Sequence, residues 1–179
     1  MGDDYSGATV LVVDDNEELA DLFAVRLENE HETRVAYDGA TALDSLDESV
    51  DVVLLDRRMP ELSGDELLEH VEDTCPDCRV VLVTAVDPDF DIVEMPFDEY
   101  LHKPVRGDAL EAAVERQLRL GSFDEPSGEY ASLRAKLAAI EDTKSRVEIA
   151  SDGRFAALKE RAERLRDEVD PQVEQVCPS

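Results

Sequence analysis

The chain has 179 residues, room for one full domain plus an appendage. Its 45 acidic and 18 basic residues give a net charge of -27, which excludes nonspecific binding of the whole chain to DNA or to an anionic membrane. No run approaches the ~18 apolar residues of a membrane span, and the acidic start Met1-Gly2-Asp3-Asp4 is not a signal peptide, so a cytoplasmic protein is expected.

The acidity is spread over every segment, and lysine is scarce: Lys103, Lys136, Lys144 and Lys159 stand against 14 arginines. Dispersed acidity of this degree points to a halophilic surface, where salt screens charge repulsion within a few ångströms. The charge is also uneven. Residues 1–120 carry 32 acidic and 9 basic side chains, and residues 121–179 carry 13 and 9. The C-terminal third is chemically a different object.

In chain order, Thr9–Val13 reads as a short buried strand. Asn16 to Asn29 reads as a helix with Leu19, Leu22, Phe23 and Leu27 on one face. Thr33–Ala36 is a weaker strand, and Gly39–Leu46 a short helix with Ala42, Leu43 and Leu46 inward. Asp51-Val-Val-Leu-Leu-Asp56 is continuously apolar between its acids, as a doubly covered parallel strand should be. Gly64–Glu72 is a helix and Arg79–Val83 a buried strand. Residues 86–98 are irregular, with Pro88 and Pro96. Glu99–His102 is the last short strand, and Gly107–Leu120 a helix with Leu110, Ala113, Val114 and Leu118 inward.

Strands alternating with helices predict an α/β fold. The expected arrangement is a doubly wound, five-stranded parallel sheet in the flavodoxin-like order 2-1-3-4-5. This domain is placed at 7–121, a linker at 122–128, a helical domain at 129–170 and a flexible tail at 171–179. In the helical domain Tyr130, Leu133, Leu137, Ile140, Lys144 and Val147 step by three and four. After a break at Ser151-Asp152-Gly153, Phe155, Leu158, Ala162, Leu165 and Val169 do the same. This reads as an α-helical hairpin that must bury its stripes on itself, on the first domain or on a second chain.

Cys75 and Cys78 form a C-x-x-C with His70 nearby, and Cys177 stands alone. A zinc site needs four ligands and no second pair exists. Reduced, incidental thiols are the expectation in a cytosol.

Three segments carry the chemistry. Asp14-Asp15, Asp56 and Lys103 each follow an apolar run, where a strand ends. Strand ends on one side of a parallel sheet converge. Three carboxylates crowded together call for a cation. Capping of the following helix by Asp14 and Asp15 is the bland alternative. A phosphoester hydrolase is another, though Asp56 is followed by Arg57-Arg58 and lacks the Asp-x-Asp spacing of aspartate-based phosphatases.

Residues 9–120 resemble the receiver domain of two-component response regulators. The matches are Val12-Val-Asp14-Asp15-Asn16, Leu54-Leu-Asp56-Arg-Arg-Met59-Pro60 with Gly64, Val83-Thr84-Ala85, and Tyr100-Leu-His-Lys103-Pro104. The resemblance implies that Asp56 accepts a phosphoryl group from a partner histidine kinase. It implies Mg2+ held by Asp15, Asp56 and the Arg58 backbone carbonyl, with Asp14 acting largely through water. Lys103 and Thr84 would bind phosphoryl oxygens, and Tyr100 would swing inward as Thr84 moves. Pro104 would follow a cis bond that places the lysine. Arg58 and Val86 stand where the family sets the lifetime of the phosphoryl group. Such a protein catalyses its own phosphorylation and slow autodephosphorylation, without being a turnover enzyme. The short, proline-bearing 86–98 segment departs from the family, whose fourth helix forms an output surface there.

The C-terminal helices resemble the HalX domain that follows receivers in salt-loving archaea, in position, length and pattern. Arg154, Lys159, Arg161, Arg164 and Arg166 are interleaved with Glu160, Glu163, Asp167 and Glu168. A solvated helix face follows, so a protein-interaction or homodimerisation module is favoured over DNA binding.

Overall fold

The computed structural model describes residues 5–177. Five parallel strands, β1 (Thr9–Val13), β2 (Glu32–Ala36), β3 (Val52–Leu55), β4 (Arg79–Thr84) and β5 (Glu99–His102), form one sheet in the order β2-β1-β3-β4-β5. This is the order expected from the alternating pattern. Its consequence is local: β1 and β3 are neighbours, with Val13 paired to Leu55. The residues that follow each strand therefore emerge side by side.

Helices α1 (Glu17–Leu27), α2 (Gly39–Ser45), α3 (Gly64–Thr74) and α4 (Gly107–Leu120) complete the sheet domain. Alternate strand residues serve opposite faces. Val10, Val12, Val52, Leu54, Val81 and Val83 meet Phe23 and Leu27 of α1 and Leu110 and Val114 of α4. Leu11, Val13, Val53, Leu55 and Leu82 meet Leu67, Leu68 and Val71 of α3. On α1 the buried stripe is Ala20, Phe23, Ala24 and Leu27; Leu22, expected inward, is 57% exposed.

Where a regular helix would stand between β4 and β5, there is only a 3-10 turn over Phe90–Glu94. The irregularity expected from Pro88 and Pro96 is present.

The C-terminal part consists of α5 (Glu125–Thr143), α6 (Arg146–Ser151), α7 (Gly153–Arg166) and α8 (Val173–Val176). α5 and α7 pack as the expected hairpin. Three details correct the sequence reading. The linker ends at Asp124, which caps α5 through its side chain with Pro126 in the first turn, so 125–128 are helical. The first hairpin helix stops at Thr143. Ser145 then starts α6 with a Ser145/Glu148 capping box, leaving Val147 80% exposed. The segment read as a flexible tail holds α8, whose Val173 and Val176 are buried. Residues 178–179 lie outside the described residues.

The hairpin does not have a core of its own. Tyr130, Ala131, Leu133, Leu137, Ile140, Phe155, Leu158, Ala162, Val173 and Val176 belong to one buried cluster with Leu11, Leu55, Leu67, Leu82, Ile92 and Phe97 of the sheet domain. Each large apolar side chain so buried stabilises by about 1.5–3 kcal/mol. The hairpin thus packs on the first domain.

Candidate functional site

Asp14 and Asp15 follow β1, Asp56 follows β3 and Lys103 follows β5. The β1-β3 adjacency brings the three carboxylates together. Each offers an oxygen, and these oxygens lie within 4.8 Å of one another. Asp14 and Asp56 are buried and Asp15 is exposed. Lys103 Nζ stands 2.6 Å from Asp14 Oδ2 and 3.0 Å from Asp56 Oδ2. Its backbone N–H donates to the Thr84 carbonyl at 2.8 Å, which ties the lysine to the end of β4. The Lys103–Pro104 peptide is cis.

Asp14 and Asp15 do not cap α1. That role falls to Asn16, whose side chain accepts from the Leu19 N–H at 3.2 Å. Asp14 Oδ1 accepts from the Asn16 N–H at 2.9 Å, which orients its other oxygen toward Lys103. Both acids are left to the cluster.

Burial pushes the Asp14 carboxyl above its ordinary value, against the opposing hydrogen bonds from Lys103 and Asn16. Burial also works against the Lys103 ammonium, but Asp14 and Asp56 outweigh it and hold it above its ordinary value. One ammonium faces three carboxylates, so the cluster retains excess negative charge. Hard, clustered oxygen donors with that excess fit a divalent cation of the magnesium type.

Thr84 is fully buried at the end of β4, and its hydroxyl oxygen accepts from the Val86 N–H at 3.2 Å. Ala85 is exposed beside it. Tyr100 is half-buried, donates its hydroxyl to the Val86 carbonyl and sets its ring edge-on to Phe97 at 5.9 Å. Arg58 has an exposed side chain, and its N–H donates to Asp56 Oδ1 at 3.2 Å. The turn after β3 therefore folds back over the carboxylate. Gly64 makes that turn possible: a Cβ there would lie 2.3 Å from the Asp56 carbonyl oxygen and 2.7 Å from Arg57 Cα.

Arg57 was missed in the sequence. It points away from Asp56, is buried, and pairs with Asp65 at 3.2 Å and Asp91 at 2.7 Å. Strand alternation at the end of β3 was the available signal. A cavity of about 1000 Å³ lies elsewhere, between the sheet domain and the hairpin, with Cys78, Arg79, Lys136 and Arg161 in its wall. Cys75 and Cys78 are buried and free, and burial raises the Cys78 thiol.

The response regulator receiver domain family matches residues 10–115, more than half of the chain, and the HalX domain family matches residues 119–176. The chain is a response regulator. Its receiver domain carries the carboxylate cluster, and its HalX domain supplies the hairpin and α8. A Haloferax volcanii protein named as a transcriptional regulator is 45% identical over 160 residues, 89% of this chain and 27% of that one. The transcriptional regulatory protein CpxR of Escherichia coli is 34% identical over 155 residues, 83% of this chain and 66% of that one. The chain thus spans about a quarter of the first relative and under two thirds of the second.

Among solved structures, a CheY-like receiver domain from Methanospirillum hungatei aligns over 65% of this chain and 97% of that one, with a TM-score of 0.60 and 24% identity. A BeF3-activated DrrB receiver domain aligns over 63% and 98%, with a TM-score of 0.59 and 28% identity. No helix among the described residues is long and apolar enough to cross a membrane.

Proposed function

We propose that this response regulator takes a phosphoryl group onto Asp56 from a phosphohistidine of a sensor kinase. The carrying observation is the meeting of Lys103 Nζ with Asp14 and Asp56 beside the third carboxylate, Asp15. In the transfer, an Asp56 carboxylate oxygen bonds to phosphorus as the phosphorus–nitrogen bond breaks. The released electron pair returns to the imidazole. A carboxylate is a weak nucleophile, so the site must offset charge on the phosphoryl oxygens.

Asp14, Asp15, Asp56 and the Arg58 carbonyl would hold Mg2+, which supplies positive charge to those oxygens when bound. Lys103 exchanges its carboxylate contacts for one phosphoryl oxygen. Thr84 turns its hydroxyl from Val86 to another, and Tyr100, bonded to Val86, follows. The exposed Arg58 side chain shields the acyl phosphate from water and slows autodephosphorylation. The dispersed acidity supports a protein working at high salt.

The test is intact mass after incubation with acetyl phosphate and Mg2+ in high salt. A labile gain of one phosphoryl group, absent in Asp56→Asn, is expected. No gain by the native chain overturns the reading.

The names of the relatives support a second reading for the output, a DNA-binding regulator acting through the HalX helices. Against it stand the net charge of -27 and the basic residues of α7 that pair with acids, as Arg164 does with Glu160 at 3.2 Å. A protein-interaction or dimerisation output is better supported. Light scattering before and after phosphorylation distinguishes a homodimer from a monomer.

A further inference from the structure

Segment 86–98 lies between the phosphoacceptor and the HalX domain, and both hold it. It contains five carboxylates, Asp87, Asp89, Asp91, Glu94 and Asp98, and no cation. The cations come from either side. From the receiver, Arg57 Nη2 reaches Asp91 Oδ2 at 2.7 Å. Arg57 directly follows Asp56, and its other ion pair, to Asp65, anchors it to the first turn of α3. Burial opposes its charge, but Asp65, Asp91 and the Tyr100 hydroxyl hold the guanidinium above its ordinary value.

From the HalX domain, Lys136 Nζ donates to the Met95 carbonyl at 2.6 Å and the Val93 carbonyl at 3.3 Å, and lies 5.1 Å from the centre of the Phe97 ring. Thr143 Oγ1 lies 3.2 Å from the Pro88 carbonyl and 3.0 Å from the Ala139 carbonyl of its own helix, which share its one proton. Lys144 pairs with Asp89 at 3.1 Å and, with Arg154, stands over the Phe90 ring at 5.7 and 5.8 Å. The chain has four lysines. One, Lys103, is in the carboxylate site, and two, Lys136 and Lys144, grip this segment.

We propose that Arg57 is a positioning residue that carries the state of Asp56 to the HalX domain through segment 86–98. The inference rests on phosphorylation of Asp56. The Arg57–Asp91 pair fixes the middle of the segment relative to the phosphoacceptor backbone. Tyr100 and Thr84 fix its start through Val86. When Thr84 turns to a phosphoryl oxygen, the start is drawn inward while Arg57 holds the middle. The segment then shifts against Lys136, Thr143 and Lys144, and their hold on its carbonyls and carboxylates loosens. The partner is the chain's own hairpin, recognised by cations and a hydroxyl set against an acidic, carbonyl-exposing turn.

The experiment is amide hydrogen exchange on the full chain with Mg2+, with and without acetyl phosphate, with intact mass read in parallel. In the native chain, exchange over 133–144 and 88–96 speeds up by about threefold or more on phosphorylation. Asp91→Asn changes an exposed carboxylate and Lys144→Gln a partly buried amine, the one facing the receiver and the other belonging to the HalX domain. Both take up phosphoryl as the native chain does, and both lose most of the response over 133–144. A phosphorylated native chain with no response there overturns this inference alone, as do both variants responding like the native chain. If the native chain gains no phosphoryl group, the reading of Asp56 falls and this inference with it.

Discussion

Lys103 Nζ lies 3.0 Å from Asp56 Oδ2, although 47 residues separate them in sequence. The same ammonium is 2.6 Å from Asp14. One cation therefore restrains two buried carboxylates, one of them the proposed nucleophile. Lys103→Gln removes that charge. Phosphoryl uptake from acetyl phosphate falls about 10²-fold, the cost of losing one oxyanion-stabilising group. Lys103→Arg restores only part of it, because a planar fork does not fill the place of a compact ammonium. Mass spectra over time read both.

Cation binding should be visible without any phosphoryl donor. Mg2+ at about 100 times its dissociation constant stabilises the fold by about 2.7 kcal/mol. The stabilisation fades on acidification, because the ligands must be deprotonated. Asp15→Asn and Asp56→Asn lose most of it. Thermal unfolding with and without Mg2+ checks this, and equal shifts in native and variant chains would place the cation elsewhere.

Without Mg2+, Asp14 has a pH signature of definite sign. Burial keeps its proton to a higher pH in the folded chain than in the unfolded chain, whose value is 3.8. Between those two values the folded chain binds more protons. This contribution to stability is present below 3.8 and is lost as pH rises through the raised value. Asp14→Asn lacks it. The urea midpoint of the variant therefore gains on that of the native chain as pH rises above 3.8, and a constant difference would contradict the raised value.

Gly64→Ala tests the turn over Asp56. The added Cβ meets backbone, not a flexible side chain, so α3 or the Asp56 carbonyl must move. The loss is about 1–3 kcal/mol by urea unfolding. Phosphoryl uptake slows as well, since the shift begins at the proposed nucleophile, Asp56.

The shared core predicts a single unfolding transition. Ile140 is fully buried in the cluster that joins the hairpin to the sheet. Ile140→Ala costs about 2–5 kcal/mol. Far-UV circular dichroism and the tyrosine signal shift together if the receiver and HalX domains unfold as one unit. Two separated transitions would mean that the hairpin melts alone.

Much of this was legible in the sequence because it depends on local pattern. Continuous apolar runs marked β1, β3 and β4, and four motifs placed Asp14, Asp15, Asp56 and Lys103 at strand ends. Two helix starts compete in the sequence with a stronger neighbouring pattern. Asp124-Glu125-Pro126 is a helix start and Ser145-x-x-Glu148 a capping box, but Gly/Ser/Pro composition around the first and the apolar stripe across the second mask them. Leu22 fits helical spacing but lies off the stripe that Ala20, Phe23, Ala24 and Leu27 bury.

Other features were only partly legible or not legible. Arg57 looks like one of two equivalent arginines after Asp56. Only the strand's alternation and the position of Asp91, 34 residues on, decide that it turns inward while Arg58 turns out. The same holds for α8, whose Val173 and Val176 form too short a pattern to announce a helix. The sequence by itself determined the sheet, its order and the identity of the charged cluster, since these follow from periodicity and from residues at strand ends. The tertiary structure alone decided that the hairpin covers the receiver and grips segment 86–98. That choice depends on which apolar stripe and which cations find partners across long sequence separations, and no local pattern carries that information.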